Sequence, residues 1–163
     1  MVQLKIKNES ELYNHFDPFK ERISDDVYHY LKSYCTELNS GKHPLDVIRI
    51  ITDEPIDGEH FKVCVQNAAR RDLEEFDSQI ARNKRLAFWE YVMGTLLSIV
   101  GVALSVILDQ VLLAIISFFG SMSIGDAVAT SAKVIPDIKR LKKLLDPFFS
   151  FELEVIDSEN VKD

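Results

Sequence analysis

Two long apolar stretches restrict what this chain can fold into. Residues 91–108 form a run of 18 without a charged side chain, and extending the run back to residue 86 admits a single acid. Residues 111–132 form a second run of 22, again with a single acid. Because an α-helix rises about 1.5 Å per residue, about 20 apolar residues cross the hydrocarbon core of a bilayer. The sequence therefore predicts a membrane protein in which two spans, about 86–108 and 111–132, form a transmembrane helical hairpin.

The charges beside the two spans predict their orientation. The junction Asp109-Gln110 contains no lysine or arginine. Such residues lie before the first span and after the second, at Arg82, Lys84, Arg85, Lys133, Lys139, Arg140, Lys142 and Lys143. Positively charged residues stay preferentially on the cytoplasmic side of a membrane. We therefore expect a multi-pass protein of the cell inner membrane with both termini in the cytoplasm.

Each span contains one acid, Glu90 in the first and Asp126 in the second. In an antiparallel hairpin both acids fall toward the cytoplasmic leaflet, within about one helical turn of the same depth. Ionisable groups in membrane segments usually face a polar cavity or a partner, so the two acids could form an acidic ring at the inner mouth of a pore. The alternative is that both reach the headgroups or pair with Arg85 and Lys133. The candidate pore or gating residues are Glu90, Asp126, Ser117, Ser121 and Gly125.

Small residues recur on one side of each span. In the first span they are Gly94, Ser98, Gly101 and Ser105, which share one helical face and are the candidate helix-packing residues. In the second span they are Ala114, Ser117, Ser121, Gly125, Ala129 and Ala132. Small faces let membrane helices approach closely. One stripe could serve the contact within the chain and the other a neighbouring protomer, which predicts a homo-oligomer; alternatively, both only pack the two helices of one chain.

Outside the spans the sequence predicts a small α+β cytoplasmic domain to which both termini contribute. Alternating apolar residues predict strands near 2–7 and 149–156, and a continuous apolar run predicts a buried strand near 47–52. Helices are expected near 25–38 (ended by Asn39-Ser40-Gly41), 58–108, 111–134 and 136–145. The outward charges of the two terminal strands are opposite in sign, which favours pairing of those strands with each other.

These elements divide the chain into three parts. Residues 1–81 are the cytoplasmic domain with its membrane-proximal helix, residues 82–135 are the hairpin, and residues 136–163 are a basic helix and a returning strand. The basic helix carries Lys139, Arg140, Lys142 and Lys143. Near anionic headgroups each such cation contributes about 1 kcal/mol. A phosphate-bearing ligand could use the same cations, so a small anionic or nucleotide ligand is a candidate partner besides the lipid bilayer.

The sequence contains no motif that is typical of an enzyme or of a cofactor site. Its four histidines lack metal-ligand spacing, and no paired-cysteine motif, nucleophile elbow or phosphate-binding glycine loop occurs. We therefore expect no catalytic activity, no cofactor and no metal. Cys35 and Cys64 are expected to be small buried hydrophobic residues in a reducing compartment. The formal net charge of −7 argues against binding of duplex nucleic acid, which requires a basic surface.

The order of these features resembles that of small bacterial membrane proteins with two transmembrane helices and a cytoplasmic αβ domain. The matching residues are Phe16-Asp17-Pro18 before a helix, the buried strand at 47–51, the charged helix at 70–85 and the closing strand at 149–155. This resemblance covers nearly the whole chain and implies its topology, but no activity. In architecture alone, the chain also resembles the compact membrane effectors of bacterial anti-phage systems, which couple a cytoplasmic sensing domain to a pore of two or four helices.

Two functions follow from these expectations. The first is a homo-oligomeric inner-membrane pore or ion channel gated by its cytoplasmic domain, which the resemblance extends to a defence effector. The acids within the spans, the small stripes and the continuous helix between domain and bilayer favour it. The second is a membrane-anchored scaffold or sensor that recruits a cytoplasmic protein partner, with the hairpin acting only as an anchor.

Overall fold

The computed structural model describes residues 2–38 and 47–157 as a small sheet and a set of helices. The strands are β1 (Val2–Lys5), β2 (Val47–Thr52) and β3 (Glu152–Asp157). The α-helices are α1 (Asp25–Leu38), α2 (Gly58–Leu104), α3 (Gln110–Ala129) and α4 (Ile135–Lys143), and a π-helical turn, Thr130–Val134, joins α3 to α4. Short 3-10 turns cover Glu9–Leu12 and Asp146–Phe149. Asn39-Ser40-Gly41 and His43 lie outside the described residues.

The observed elements differ from the predicted ones mainly at their ends. β3 begins at Glu152 instead of near residue 149, because Pro147 starts a 3-10 turn that a strand cannot include. α2 ends at Leu104 instead of near residue 108, and a turn follows it before Asp109. β1 stops at Lys5, although the Ile6 amide still donates to the Ile51 carbonyl at 3.1 Å. Apart from these ends, the structure confirms the prediction of two long apolar helices and a small region of strands and helices.

The sheet is parallel throughout, with the strand order β1-β2-β3. The predicted pairing of the two terminal strands is therefore wrong, since β2 lies between them. β2 carries apolar side chains on both faces, which suits the middle strand of a parallel sheet. The acid of β3 pairs with β2 instead: Gln3, Arg49 and Glu154 are aligned, and Arg49 Nη2 of β2 lies 2.8 Å from Glu154 Oε2.

Each parallel pair of strands requires a crossover connection, and the two crossovers differ greatly in content. The connection from β1 to β2 contains α1. The connection from β2 to β3 contains α2, α3 and α4. Both apolar helices are therefore an insertion within one crossover of a small sheet.

The chain divides into two compact units. The first unit comprises Met1–Glu74 and Leu141–Asp163, and the second comprises Glu75–Arg140. Both ends of the chain contribute to the first unit. Within the second unit, Ile135 and Ile138 of α4 form a buried cluster with Ile80 of α2.

One face of the sheet and the helices of the first unit form its core. The largest side chains with under 2% exposure there include Phe61, Phe148, Phe151, Leu12, Leu31, Ile48 and Ile50. Cys35 and Cys64 are buried as the sequence predicts, and neither forms a disulfide. Burial raises the pKa of the Cys35 thiol to about 11, so this thiol stays protonated at neutral pH.

Ile50 of β2 and Val155 of β3 are aligned on neighbouring strands, and substitutions of these two residues test this core. Ile50 is fully buried, whereas Val155 beside it in β3 is 42% exposed. Ile50→Ala should lower the free energy of unfolding of the first unit by about 2–5 kcal/mol, and Val155→Ala by about 1 kcal/mol or less. Denaturant unfolding of the detergent-solubilised chain measures both values, and equal losses would contradict the packing described.

Candidate functional site

Two helical segments of this chain are long and apolar enough to cross a membrane. They are α2 and the stretch Gln110–Phe149, which begins with α3. Their most apolar 18-residue windows have mean hydropathies of 1.6 and 1.9. Only 17% and 11% of those windows are buried, so neither segment is a buried core helix of this fold. Ile99, Val102 and Phe118 are among many large apolar side chains that remain exposed there, which is typical of a surface that meets lipid or another protein.

In the second unit, α2 and α3 approach each other closely at two glycines, Gly94 of α2 and Gly120 of α3. A Cβ atom on Gly94 would lie 2.7 Å from the carbonyl oxygen of Gly120, and one on Gly120 would lie 3.0 Å from Ser98 Oγ. Further along, a Cβ atom on Gly101 would lie 3.3 Å from Ile116 Cγ2. The small residues of α2 at positions 94, 98 and 101 thus face α3, and a side chain at Gly94 has no space.

The fourth candidate packing residue, Ser105, does not take part in this contact. It lies beyond the end of α2, is exposed, and its hydroxyl donates to the Val102 carbonyl at 2.7 Å. The junction that follows starts α3 directly. Asp109 is the N-cap residue, and its carboxylate accepts from the Gln110 amide at 2.8 Å.

The small residues of α3 lie on a different face from the one that meets α2. Ala114, Ser117, Ser121, Gly125, Ala129 and Ala132 are all exposed. A Cβ atom on Gly125 would have no neighbour within 4 Å. Gly120 makes the close contact instead, and sequence analysis missed it because it lies off this stripe. The sequence nevertheless contains an indication of this contact, because Gly120 falls nearly level with Gly94 in an antiparallel hairpin.

The hairpin register brings the two acids to nearly the same depth. Gly94 lies beside Gly120 and Ile124, and Gly101 lies beside Ile116. Continuing the antiparallel register places Glu90 level with about residue 127 of α3, one residue from Asp126. At a rise of about 1.5 Å per residue this difference is small.

The two acids nevertheless face different surroundings. Glu90 shares a helical face with Ala87 and Gly94, which are both buried, and its Oε2 atom is buried without a hydrogen-bond partner in the described chain. Asp126 is exposed. Within residues 2–38 and 47–157, neither carboxylate has a lysine or arginine nitrogen within 4.0 Å. The alternative that they pair with Arg85 and Lys133 is therefore not observed.

Three hydroxyl groups of the hairpin helices are satisfied by their own helix. Thr95 donates to the Tyr91 carbonyl at 2.8 Å, Ser98 to the Gly94 carbonyl at 2.8 Å, and Ser121 to the Phe118 carbonyl at 2.9 Å. Such bonds keep a polar side chain compatible with an apolar surrounding. These three hydroxyls therefore do not require a second polar surface.

The basic segment at the end of the second unit is amphipathic, but part of its apolar side is covered. Ile135 and Ile138 pack against Ile80, with Phe76 beside them. The expected headgroup residues Lys139, Arg140 and Lys143 are exposed, and Lys142 is half-buried. Arg140 lies 3.8 Å from Asp137, which is an exposed pair of little energetic weight.

The chain has no match among protein-family models, curated proteins or solved structures. The features that bear on function are therefore the hairpin and the side chains of the first unit.

Paired glycine substitutions test the hairpin contact. Gly94→Ala places a methyl group against the Gly120 backbone, so it should destabilise the hairpin by about 1–3 kcal/mol. Gly125→Ala enters open space and should leave stability unchanged or raise it by up to about 1 kcal/mol, since alanine favours helix. Thermal unfolding of the purified chain in a neutral detergent measures both. A harmless Gly94→Ala would mean that the two helices do not approach as described.

Proposed function

We propose that this chain is an inner-membrane protein whose α2 and α3 cross the bilayer as a hairpin, and that several copies assemble into a pore gated by the cytoplasmic first unit. The observation that carries the proposal is Asp126, an exposed carboxylate without a salt-bridge partner in the described chain, on the more apolar of the two candidate spans. A charge facing lipid costs roughly 3 kcal/mol. A water-filled opening would remove that cost.

The sheet topology supports two crossings. β1 and β2 precede the hairpin, and β3 follows it, yet all three strands share one sheet. The chain must therefore return to the side of the membrane from which it left, which requires an even number of spans. The basic residues outside both apolar segments favour the cytoplasm as that side.

The faces of α3 suggest how copies would surround an opening. Successive residues of a helix are rotated by about 100°. Gly120 and Ala127 lie on the face toward α2, and the exposed stripe of small residues is centred roughly 120° around the helix from that face, where a helix of a second copy could approach closely. Asp126 falls between these faces, in line with Met122, Phe119 and Ile115. In this arrangement Ser117, Ser121 and Gly125 pack neighbouring copies, while Asp126 forms an acidic ring below an apolar constriction.

Glu90 has no place in such a ring, because it faces α3 of its own chain. This distinguishes the two acids, which are equivalent by depth. An acidic ring built from Asp126 alone would favour cations.

A membrane-anchored scaffold is the second candidate, and the hydroxyl groups favour it. Thr95, Ser98 and Ser121 all donate within their own helices, so the hairpin can be solvated by lipid without further copies. In that case the first unit would recruit a cytoplasmic partner, and Asp126 would reach the headgroup region.

Labelling of introduced cysteines tests the membrane topology. A cysteine replacing Gln110 should react with a membrane-impermeant maleimide added to intact spheroplasts. One replacing the exposed Ser78 should react only after lysis, and the native chain provides the background because Cys35 and Cys64 are buried. Recovery of the chain in the supernatant of a detergent-free high-speed spin, or a reversed labelling pattern, would contradict the hairpin.

Ion flux into liposomes tests the pore. The native chain should conduct cations in preference to anions, and Asp126→Asn should lower that permeability ratio by roughly threefold or more. Glu90→Gln is the matched control and should leave the ratio unchanged. If no flux occurs, and if an unrelated hairpin in place of residues 86–132 preserves the cellular function, the anchor is correct and the pore is not.

A further inference from the structure

A cavity of about 570 Å³ in the first unit brings together three arginines. Arg70 and Arg71 lie on α2, and Arg22 lies on the loop that precedes α1. His60 and Asn67, also on α2, add polar groups to the lining, and Glu21 and Glu74 add two carboxylates. The volume lies within the range of small-molecule sites, roughly 300–1,000 Å³.

One face of α2 forms the first wall of the cavity. His60, Asn67, Arg70 and Arg71 recur at helical spacing, so their side chains project from the same side. From His60 to Arg71 the helix rises by about 16 Å, which is long enough to contact both ends of a small molecule.

The second wall, at Arg22, is held in place by hydrogen bonds. The Lys20 carbonyl accepts from His60 Nε2 at 2.8 Å and from the Cys64 thiol at 3.4 Å, which ties the loop to α2. Two residues later, the Arg22 carbonyl accepts from the Asn14 amide at 2.9 Å. The two walls are therefore fixed relative to each other within the first unit.

The three guanidinium groups are not neutralised by the part of the chain that the structure describes. None of them has a carboxylate oxygen within 4.0 Å, although Glu21 and Glu74 also line the cavity. By contrast, Arg49 is paired with Glu154. All three arginines are exposed, and against the two glutamates they leave the lining with a small net positive charge in a chain of net charge −7. Arginine keeps its charge at any physiological pH, so this excess persists and favours an anion over a cation or a neutral ligand.

We propose that this cavity binds the phosphate groups of a small phosphorylated molecule. The planar guanidinium fork donates two parallel hydrogen bonds to a phosphate, and three such groups suit an anion with several charges. The cavity is larger than one phosphate requires, which leaves room for the remainder of the molecule beside Asn67 and His60. Because α2 continues into the first apolar segment, the bound anion would be the gating ligand; that part rests on the proposed function, whereas binding itself does not.

Calorimetric titration of the full-length chain with inorganic pyrophosphate, in neutral detergent at constant ionic strength, tests the site. Saturable binding is expected, and Arg22→Gln and the double variant Arg70→Gln/Arg71→Gln should each weaken it by about tenfold or more. Arg82→Gln removes an exposed charge elsewhere on α2 and should change nothing. Absence of saturable binding, or equal binding by all variants, would overturn the proposal.

Nanodiscs distinguish the two sources of phosphate. Pyrophosphate should bind the chain in phosphatidylcholine nanodiscs. Equal binding in phosphatidylglycerol nanodiscs assigns the site to a soluble molecule, whereas loss of binding there assigns it to a lipid headgroup; both results support the phosphate chemistry. Binding is measured without flux, so a chain that binds pyrophosphate but does not conduct refutes only the pore. A chain that conducts but does not bind refutes only this site.

Discussion

Backbone pairing between β2 and β3 is the interaction on which the rest of the structure depends. The two strands are in register from Val47 beside Glu152 to Thr52 beside Asp157, although both apolar helices lie between them in the chain. Closing so long a connection costs conformational entropy. That cost is reduced because the connection is itself helical and packed. Without this pairing, the chain after the hairpin would have no fixed place in the first unit.

Small residues have two opposite roles in the hairpin. On α2 they permit backbone contact, since Gly94 approaches Gly120 so closely that no side chain fits. On α3 the small stripe that includes Ser121 and Gly125 stays uncovered. In lipid, close packing is a major source of helix association, because apolar side chains gain little by leaving an apolar solvent. Within the described residues this small stripe has no partner helix, so a second copy could pack on it, which adds to the argument from the exposed Asp126.

The sequence predicts elements here better than it predicts their partners. The spans follow from hydropathy and the strands from alternation, because both are local properties of the chain. Strand order is not local: the opposite charges of β1 and β3 indicated a direct pair, whereas the two-sided apolar pattern of β2 was the better guide. The same limit applies to the site. The similar depth of Glu90 and Asp126 follows from counting residues along the two helices. The surroundings of each carboxylate depend instead on which side of its helix contacts the other helix.

The arginine cavity lay beyond sequence analysis for a related reason. Arg70 and Arg71 are adjacent in the sequence, and their surroundings indicate only that they belong to a charged helix. Arg22 joins them only because the loop before α1 folds back and is fixed by His60. No pattern in the sequence links a loop residue to a helix that starts 36 positions later, at Gly58.

The length of α2 has a mechanical consequence. The helix contains neither glycine nor proline from Glu59 to Met93, so its hydrogen-bond ladder has no built-in hinge over that distance. Within the second unit, the part of α2 from Glu75 to Met93 is therefore a stiff rod without a flexible joint. The direction in which Gly94 projects, relative to Ile80, is fixed by the number of residues between them. Removing one residue would turn that direction by about 100°, with every side chain otherwise intact.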